Sequence, residues 1–436
     1  MAVSAVAWLP IAAATLLDRP STTLTATTDA ECPLGFFYAY REPLTPDELE
    51  VEADLADRCS LASFHCSPHF VNRMMSHPCR TNELTAETRA VAVLHPLTRY
   101  VPRRNATKNS MAAAHHFNFS MTRLQRLPRE VREHPRLYLF SGGEAYNTGH
   151  YDHEPTYPQR ATVFIIEPLW AQNGRYEHPH EACFLYKPSV RYASVPFWQA
   201  QVNVSTNAAS ELAADAARPD ADRQYLAFHY AALHGQTAEL RMRLYELCAS
   251  ESRWLCPGET TEHLPGLQHG DLPLTTDEYV RAFGKTTFAF VPSGDSPGRS
   301  ALWDCLRRGC IPVLFSSCPR THALESHRGW LPSDDAPGFG ARRWAVLLNE
   351  TAVMSSSSYL RDALNAVSDA KLAEMRAEVR PYLRRISYAS SHAPDDALSR
   401  TVEHMLQGQR GGPNQGPPLP TTYTTVCRDC VDPPAD

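Results

Sequence analysis

The sequence lacks several features that would assign it to common protein classes. Lysine is nearly absent, so the positive charge is almost all arginine, and the formal net charge is -6. This balance excludes the basic surface that nucleic-acid-binding domains carry, so we expect no nucleic-acid partner. The apolar run at residues 1–17 is shorter than the roughly 20 residues of a membrane-spanning helix, and Pro10 interrupts it. We interpret it as a secretory signal or a short signal-anchor, with a disordered start as the alternative.

Cysteines and glycosylation sequons indicate the compartment. Several of the 12 cysteines lie in polar, loop-like segments, as disulfide cysteines do in oxidising compartments. Cys427 and Cys430 have no second pair nearby, which favours a local disulfide or two loop thiols over a zinc half-site. Asn-x-Ser/Thr sequons occur at Asn105, Asn118, Asn203 and Asn349. These features predict the Golgi or another secretory-pathway lumen. The protein would be a type II membrane protein, attached only through its N-terminal segment, if that segment is retained.

The length predicts two domains, because single cores stop growing beyond about 250 residues. We predict a signal segment and stalk at 1–30, a first Rossmann-like domain at 31–205, a second at 206–390 and a flexible tail at 391–436. Apolar runs predict strands at 34–40, 90–97, 137–140, 162–167, 224–229, 286–291, 311–315 and 344–348. Helical spacing predicts helices at 46–55, 68–75, 239–248 and 359–388.

Residues 286–317 have the pattern of a strand, a helix and a second strand. Ser296 is the predicted helix N-cap with Pro297 behind it, and Gly309 is the predicted left-handed residue at the end of the helix. A second apolar run follows at once. The segment therefore predicts a βαβ unit of a parallel sheet with a right-handed crossover.

The loop at 293–299 then lies at the carboxyl edge of the sheet and leads into a helix N-terminus. Backbone N–H groups and the helix dipole make such a position suitable for a phosphate group. Arg299 would add a bidentate contact to phosphate oxygens. From the physics alone, an ordinary βαβ unit with a polar connection is the alternative.

The string FVPSGDSPGRSALWDCLRRGCIPV, residues 290–313, resembles the donor-site signature of exostosin-like glycosyltransferases. It is most similar to the plant branch that holds xyloglucan galactosyltransferases. In the N-terminal half, residues 72–74 and 79–83 resemble elements of the same family. The resemblance implies an α/β fold of GT-B type, with two Rossmann-like domains whose parallel sheets face a central cleft. It also implies an inverting transfer of sugar from a nucleotide donor to a glycan hydroxyl, without an essential metal or other cofactor. We expect the donor to be a UDP-sugar.

The resemblance implies a set of donor-binding residues: Arg241, Ser293, Gly294, Asp295, Ser296, Arg299 and Asp304. Asp304 fits a structural carboxylate equally well. Sugar transfer also needs cations at the departing diphosphate and a base for the acceptor hydroxyl. Arg299 and Arg241 are the candidates for the first task. Loops of the first domain offer four candidates for the base: Glu144, Asp152, His153 and Glu167.

Two patterns look like metal sites, but we predict none. The cluster at 150–154 could equally be a solvated loop, because metal ligands normally come from separated elements with supporting contacts. Asp220-Ala-Asp222 resembles the Asp-x-Asp motif of the other major glycosyltransferase fold. That motif should follow a hydrophobic strand, whereas here it precedes one, so we interpret it as chance.

Two classes of function stay open from the sequence. The first is an active transferase with a nucleotide sugar and an oligo- or polysaccharide acceptor as partners. The second is a lumenal glycan-binding or scaffold protein that kept the fold without its activity. Ser300 stands where related plant sequences often have a second basic residue, which favours the second class. A GT-B enzyme of another kind, such as a glycogen-synthase type, is disfavoured by the cysteines and sequons.

Overall fold

The computed structural model describes residues 32–41, 67–94, 127–140, 162–165, 181–185, 191–194, 196, 214, 216–231, 233, 238–257, 274, 276–292, 299–316, 327, 329–332, 340–389, 392–407 and 425–429. The predicted signal segment and the predicted helix at 46–55 lie outside these residues.

The described strands form two larger sheets and a two-stranded one. They are β1 (Phe37–Arg41), β2 (Arg80–Thr81), β3 (Ala90–Leu94), β4 (Leu137–Phe140), β5 (Thr162–Ile165), β6 (Glu181–Leu185), β7 (Arg191–Ser194), β8 (Tyr225–Phe228), β9 (Trp254–Leu255), β10 (Thr286–Val291), β11 (Ile311–Ser316), β12 (Val346–Asn349) and β13 (Thr425–Asp429). The small sheet pairs β6 with β13 in antiparallel fashion.

The first large sheet has the order β2-β1-β3-β4-β5-β7, and all of its pairings are parallel. The second has the order β12-β11-β10-β8-β9 and is also entirely parallel. Strands β3, β4 and β10 are buried along their whole length, as expected of strands covered on both faces. Two doubly wound parallel sheets confirm the predicted α/β fold of GT-B type.

Nine described helices connect and cover the sheets among the residues that the structure describes. They are Ser67–Met75, Arg129–Arg132, Ala238–Ala249, Thr276–Gly284, Ser300–Arg307, Glu350–Ser355, Tyr359–Asn365, Asp369–Val379 and Ala397–Gln407. Short 3-10 turns occupy Asp220–Asp222, Ala341–Arg343 and Arg380–Tyr382. None of the described helices is long and apolar enough to cross a membrane.

Two helix predictions need correction. The predicted single helix at 359–388 is two helices, because the Ser368 side chain accepts a hydrogen bond from the Lys371 N–H and caps a new helix. The helix after β10 begins at Ser300 rather than behind Ser296, and Arg299 takes the N-cap position with extended φ and ψ of -149° and 148°. A glycine at position 298 explains the later start, since glycine costs about 1 kcal/mol in a helix relative to alanine.

The C-terminal helix Ala397–Gln407 packs against the first sheet and its helices. Asp396, just before it, accepts two hydrogen bonds from Arg73 at 3.1 Å. Arg136 donates to the Leu406 carbonyl at 3.1 Å, and the His404 ring meets Phe164 edge-on. The structure thus shows a buried amphipathic helix within the segment predicted to be a flexible tail. Its apolar residues recur at helical spacing and need the first domain to cover them.

Two disulfides confirm that the cysteines include bonded pairs. Cys32 pairs with Cys79 and ties the segment before β1 to the residue before β2. Cys248, in helix Ala238–Ala249, pairs with Cys256, which directly follows β9. The free thiols of the described region are buried and lie at the end of helix Ser300–Arg307: Cys305 and Cys310.

Candidate functional site

The strand order of the second sheet reverses between β8 and β10. From β8 the chain moves to β9 on one side and then to β10 on the other. Ligands of open α/β sheets bind in the crevice outside the carboxyl ends of the strands at such a point. His229 and Tyr230 follow β8 directly, and the loop after β10 leads to Arg299. The predicted donor loop therefore starts at the position that this topology favours for a ligand.

Arg299 begins the helix that follows this loop. Its side chain makes no capping hydrogen bond, and its Nη1 atom is closed to solvent without a hydrogen-bond partner among the described residues. A guanidinium group beside the free N–H groups of a helix N-terminus is a combination that binds anions such as phosphate.

His229 lies at the end of β8. Its side chain is fully buried, and its ring centroid lies 4.5 Å from that of Tyr245. Burial, and to a lesser extent the charges of Arg299 and Arg241, lower the pKa of His229 to about 3. The imidazole is therefore neutral at physiological pH. Arg241, the other arginine predicted to face the diphosphate, is buried within helix Ala238–Ala249.

Two tyrosines lie within reach of the Arg299 charge on opposite faces of the sheet. The Tyr245 hydroxyl donates to the Ala231 carbonyl at 3.1 Å and accepts from its N–H at 3.0 Å, which fixes the segment after β8. Burial raises the pKa of Tyr245, and the charges of Arg299 and Arg241 oppose that change. Burial and the charge of Asp304 raise the pKa of Tyr279, again against Arg299. The charge of Arg299, at the start of helix Ser300–Arg307, thus acts on both tyrosines.

Asp304 is buried and forms an ion pair with its neighbour on the same helix. Its Oδ1 accepts a hydrogen bond from Arg307 Nη1 at 3.1 Å. Arg307 also donates to the Ile386 carbonyl at 2.8 Å, which ties the helix to the C-terminal segment. This pairing gives Asp304 a structural role on its own helix, and its role in donor binding stays a prediction.

The Asp-x-Asp pattern lies at the opposite, amino edge of the second sheet. Asp220 accepts hydrogen bonds from Arg376 through both carboxylate oxygens and one from Thr287 Oγ1 at 3.2 Å. Arg376 also donates to the Gly309 carbonyl at 2.6 Å. Asp220 therefore anchors the linker to the second domain. Within the described ranges, no group of three His, Cys, Asp or Glu side chains could hold a metal ion.

The remaining predicted site residues lie outside the described residues, and their roles stay predictions: Glu144, Asp152, His153, Glu167, Ser293, Gly294, Asp295 and Ser296. Sequence reasoning missed His229, Tyr245 and Tyr279. For His229 a signal existed, because it is a polar residue directly after an apolar strand. For Tyr279 none did, since its relation to Arg299 depends on the packing of a separate helix.

Comparison with known families identifies the domain that contains this site. Residues 162–362 match the Exostosin GT47 domain. This region of the chain is similar to exostosin-type domains. The match covers less than half of the sequence, but it begins at β5 and includes every strand of the second sheet. It confirms the resemblance that the string at 290–313 predicts.

Similar proteins come from Arabidopsis thaliana. "Probable xyloglucan galactosyltransferase GT13" is 28% identical over 133 residues, which is 29% of this chain and 26% of that protein. "Probable xyloglucan galactosyltransferase GT17" is 24% identical over 172 residues, 39% of this chain and 33% of that protein. "Xyloglucan-specific galacturonosyltransferase 1" is 26% identical over 137 residues, 30% of this chain and 19% of that protein. The chain therefore spans at most a third of the length of these relatives.

Solved structures with some likeness include WaaG, a glycosyltransferase involved in lipopolysaccharide biosynthesis. The TM-score is 0.32 at 10% identity, over 86% of this chain and 100% of that one. The spinosyn rhamnosyltransferase SpnG has a TM-score of 0.32 at 11% identity, over 82% of each chain. At these values the likeness adds nothing to what the two sheets show by themselves.

Proposed function

We propose that this chain is an inverting glycosyltransferase with a nucleotide-sugar donor, a UDP-sugar, and an oligo- or polysaccharide acceptor. One observation carries the proposal. Arg299 begins the helix after β10, at the point where the strand order of the second sheet reverses, and its Nη1 atom is buried without a hydrogen-bond partner among the described residues. A guanidinium group and a helix N-terminus at such a crevice suit the diphosphate of a nucleotide.

Arg299 and Arg241 would act on the leaving group. In a direct displacement, the acceptor oxygen forms a bond with the anomeric carbon while the bond from that carbon to the diphosphate oxygen breaks. The nucleoside diphosphate departs with the electron pair, and fixed cations stabilise the charge that develops on it. A base takes the proton of the acceptor hydroxyl. Glu144, Asp152, His153 and Glu167 are the proposed candidates for that base, and the proposal includes no metal or other cofactor.

The names of the relatives suggest the first substrates to test. They are described as xyloglucan galactosyltransferases and as a xyloglucan-specific galacturonosyltransferase. UDP-galactose and UDP-galacturonic acid, each with xyloglucan oligosaccharides, are therefore the first pairs of donor and acceptor. Differences of one hydroxyl or carboxyl group between donors are read by individual pocket side chains, so transfer must be measured for each pair.

We place the reaction in the Golgi or another compartment of the secretory pathway. The disulfides Cys32–Cys79 and Cys248–Cys256 support this location, because such bonds persist in oxidising compartments. A type II membrane topology through the N-terminal segment is part of the proposal.

Calorimetric titration of the purified chain with UDP tests the donor site, with and without a divalent metal ion. We expect the wild-type chain to bind UDP and Arg299→Ala to bind it at least about tenfold more weakly, the usual loss for a charge-assisted hydrogen bond. Arg129→Ala is the matched control. This arginine pairs with Glu133 at 2.9 Å on an exposed helix of the first domain. Its loss should leave UDP binding unchanged.

Two results would contradict the proposal. If the folded wild-type chain does not bind UDP, the catalytic proposal fails, and binding of glycans alone would favour a scaffold protein. If Arg299→Ala binds UDP as tightly as the wild type, the crevice at β8 and β10 is not the donor site.

A further inference from the structure

Two unbonded cysteines lie at the two ends of one hydrogen-bonded turn, where helix Ser300–Arg307 ends. The Cys310 N–H donates to the Cys305 carbonyl at 3.0 Å, and the Gly309 N–H donates to the Leu306 carbonyl at 3.0 Å. Gly309 between them has a left-handed φ of 67°. These two bonds form the Schellman motif, in which the first and last side chains commonly contact each other. The motif therefore places both cysteine side chains on the same side of the turn.

The contact between the two cysteines meets the requirements of a disulfide. The Cys305 thiol donates a hydrogen bond to the Cys310 carbonyl at 3.2 Å. A disulfide joins residues whose Cα atoms are about 4.4 to 6.8 Å apart and whose Cβ atoms face each other. The backbone hydrogen bond satisfies the first condition, because the nitrogen is only about 1.5 Å from its own Cα. The Schellman motif satisfies the second.

The alternative is that both thiols only fill space in the core, as buried free cysteines do. The other cysteines favour a bond. Cys248, in the last turn of helix Ala238–Ala249, is joined to Cys256 eight residues later. The second domain thus already has one disulfide that closes the end of a helix. Such bonds persist in oxidising compartments, where a second pair of facing thiols is oxidised as well.

We infer that Cys305 and Cys310 are a dithiol site that is oxidised to a disulfide, which fixes the end of helix Ser300–Arg307. The oxidant is another disulfide, that of glutathione or of a thiol oxidoreductase. The inference does not depend on the proposed function, because neither thiol is part of the donor site.

Cys310 is the residue that reacts first. It lines a small cavity together with Gly309 and Arg376, whereas Cys305 has no exposed surface. Burial, and then the hydrogen bond with Cys310, raise the pKa of the Cys305 thiol, so Cys305 stays protonated while the turn is closed. The reactive form is the thiolate, so the reaction proceeds when the end of the helix opens locally.

The reaction is a thiol–disulfide exchange in two steps. The Cys310 thiolate attacks one sulfur of the oxidant, and the other sulfur of the oxidant leaves as a thiolate. The Cys305 thiolate then attacks the Cys310 sulfur, and the second sulfur of the oxidant leaves. The two cysteines lose two protons and two electrons, and the disulfide of the oxidant is reduced to two thiols.

Peptide mapping by mass spectrometry tests the inference. The purified full chain is equilibrated in a glutathione buffer poised as in the secretory lumen, and its free thiols are then alkylated with iodoacetamide in denaturant. Digestion with trypsin and chymotrypsin separates Cys310 from Cys318. We expect a covalent link between the peptides of Cys305 and Cys310 that dithiothreitol removes. The Cys248–Cys256 bond is the internal reference.

Cys305→Ala is the matched variant. Its Cys310 should be alkylated, because the facing thiol is gone. If this variant does not fold, Cys310→Ala replaces it, and Cys305 should then be alkylated. Alkylation of both cysteines in the equilibrated wild-type chain overturns the inference, whatever the state of the reference bond. A link from either of them to a different cysteine also overturns it. Neither result bears on the binding of UDP.

Thermal unfolding measures what the bond does for the fold. Oxidation should raise the midpoint of the wild-type chain by about 2 °C or more beyond its effect on Cys305→Ala, because a closed loop lowers the entropy of the unfolded chain. The comparison removes the contribution of the disulfides that both chains share. Equal shifts for the two chains overturn the inference that the bond fixes the end of the helix.

Discussion

The two edges of the second sheet differ in whether their polar side chains have hydrogen-bond partners. At the amino edge, Asp220, Arg376 and Thr287 satisfy one another, and Arg376 also binds the Gly309 carbonyl. At the carboxyl edge, the ring nitrogens of His229 and the Nη1 of Arg299 have no partner among the described residues. The pairing of Asp220 with Arg376 and Thr287 at the amino edge holds the linker to the second domain. Incomplete pairing at the other is the arrangement expected where a ligand supplies the missing partner.

The comparison also separates residues that look alike in the sequence. An aspartate pair with the spacing of a metal motif is a structural anchor, whereas an unremarked histidine after a strand lies at the candidate site. The difference arises because the ends of the strands, rather than the residue types, determine which polar groups face a crevice.

Acid should produce the largest effect, because it charges buried imidazoles. Burial, more than any other cause, lowers the pKa of His77, His229 and His327 to about 3. Below about pH 6.5 these histidines bind protons in the unfolded chain but not in the folded chain. The free energy of unfolding therefore falls as the pH decreases toward about 3. Each histidine should contribute up to about 1.4 kcal/mol per pH unit, measured by urea unfolding at a series of pH values.

Single substitutions show how much a histidine of each domain contributes to this loss of stability in acid. His77→Gln, in the first domain, and His327→Gln, in the second, should each flatten the dependence of unfolding free energy on pH. A slope that neither variant changes would show that these rings are not held neutral by burial.

Gly309→Ala should strongly destabilise the amino edge. Gly309 has a φ of 67°, and an added Cβ would lie 2.7 Å from the Ala216 Cα. The left-handed backbone alone costs about 1 to 3 kcal/mol for a residue other than glycine, and the contact with backbone adds to it. Urea unfolding should therefore show a loss of at least about 2 kcal/mol, with UDP affinity unchanged.

Gly35→Ala is the control for that variant. Gly35 also has a positive φ, of 89°, but its added Cβ would meet the flexible Arg89 side chain instead of backbone. We expect a smaller loss. Equal losses for the two variants would mean that the Ala216 contact has no energetic weight.

Asp220→Ala should have a somewhat smaller effect on the same edge. Its removal leaves Arg376 without its carboxylate, and the Arg376 side chain is 11% exposed. Breaking a fully buried pair in this way costs about 3 kcal/mol or more, and we expect about 1 to 2 kcal/mol here because both side chains are partly exposed. Glu133→Ala breaks an exposed pair and should cost less than about 1 kcal/mol. If Asp220→Ala instead weakened UDP binding more than stability, the separation between the edges would be wrong.

Much of the second sheet could be predicted from local sequence. Strand β10 has the predicted bounds, 286–291, because an apolar run is followed by proline and glycine. Gly309 adopts the predicted left-handed conformation behind helix Ser300–Arg307. Strand β4 also has its predicted bounds, since Leu137–Phe140 is a short buried run between polar segments.

Helix ends and long-range partners were harder to predict. The cap at Ser368 competes with continued helical periodicity, and local residues alone do not decide between them. The C-terminal helix Ala397–Gln407 follows a segment of polar and turn-forming residues, and its burial depends on a first domain far away in the sequence. The ion pair of Asp220 with Arg376 joins residues 156 positions apart.

By itself, the sequence determined the class of fold, the βαβ unit and the arginine at the start of its helix, because these follow from hydrophobic periodicity, breakers and caps. Only the tertiary structure decided that Asp220 anchors a linker, that Asp304 pairs with Arg307, and that His229 is fully buried at the end of β8. The first and the last of these depend on the order of strands in the sheet, which brings distant segments to one edge and which no local pattern encodes.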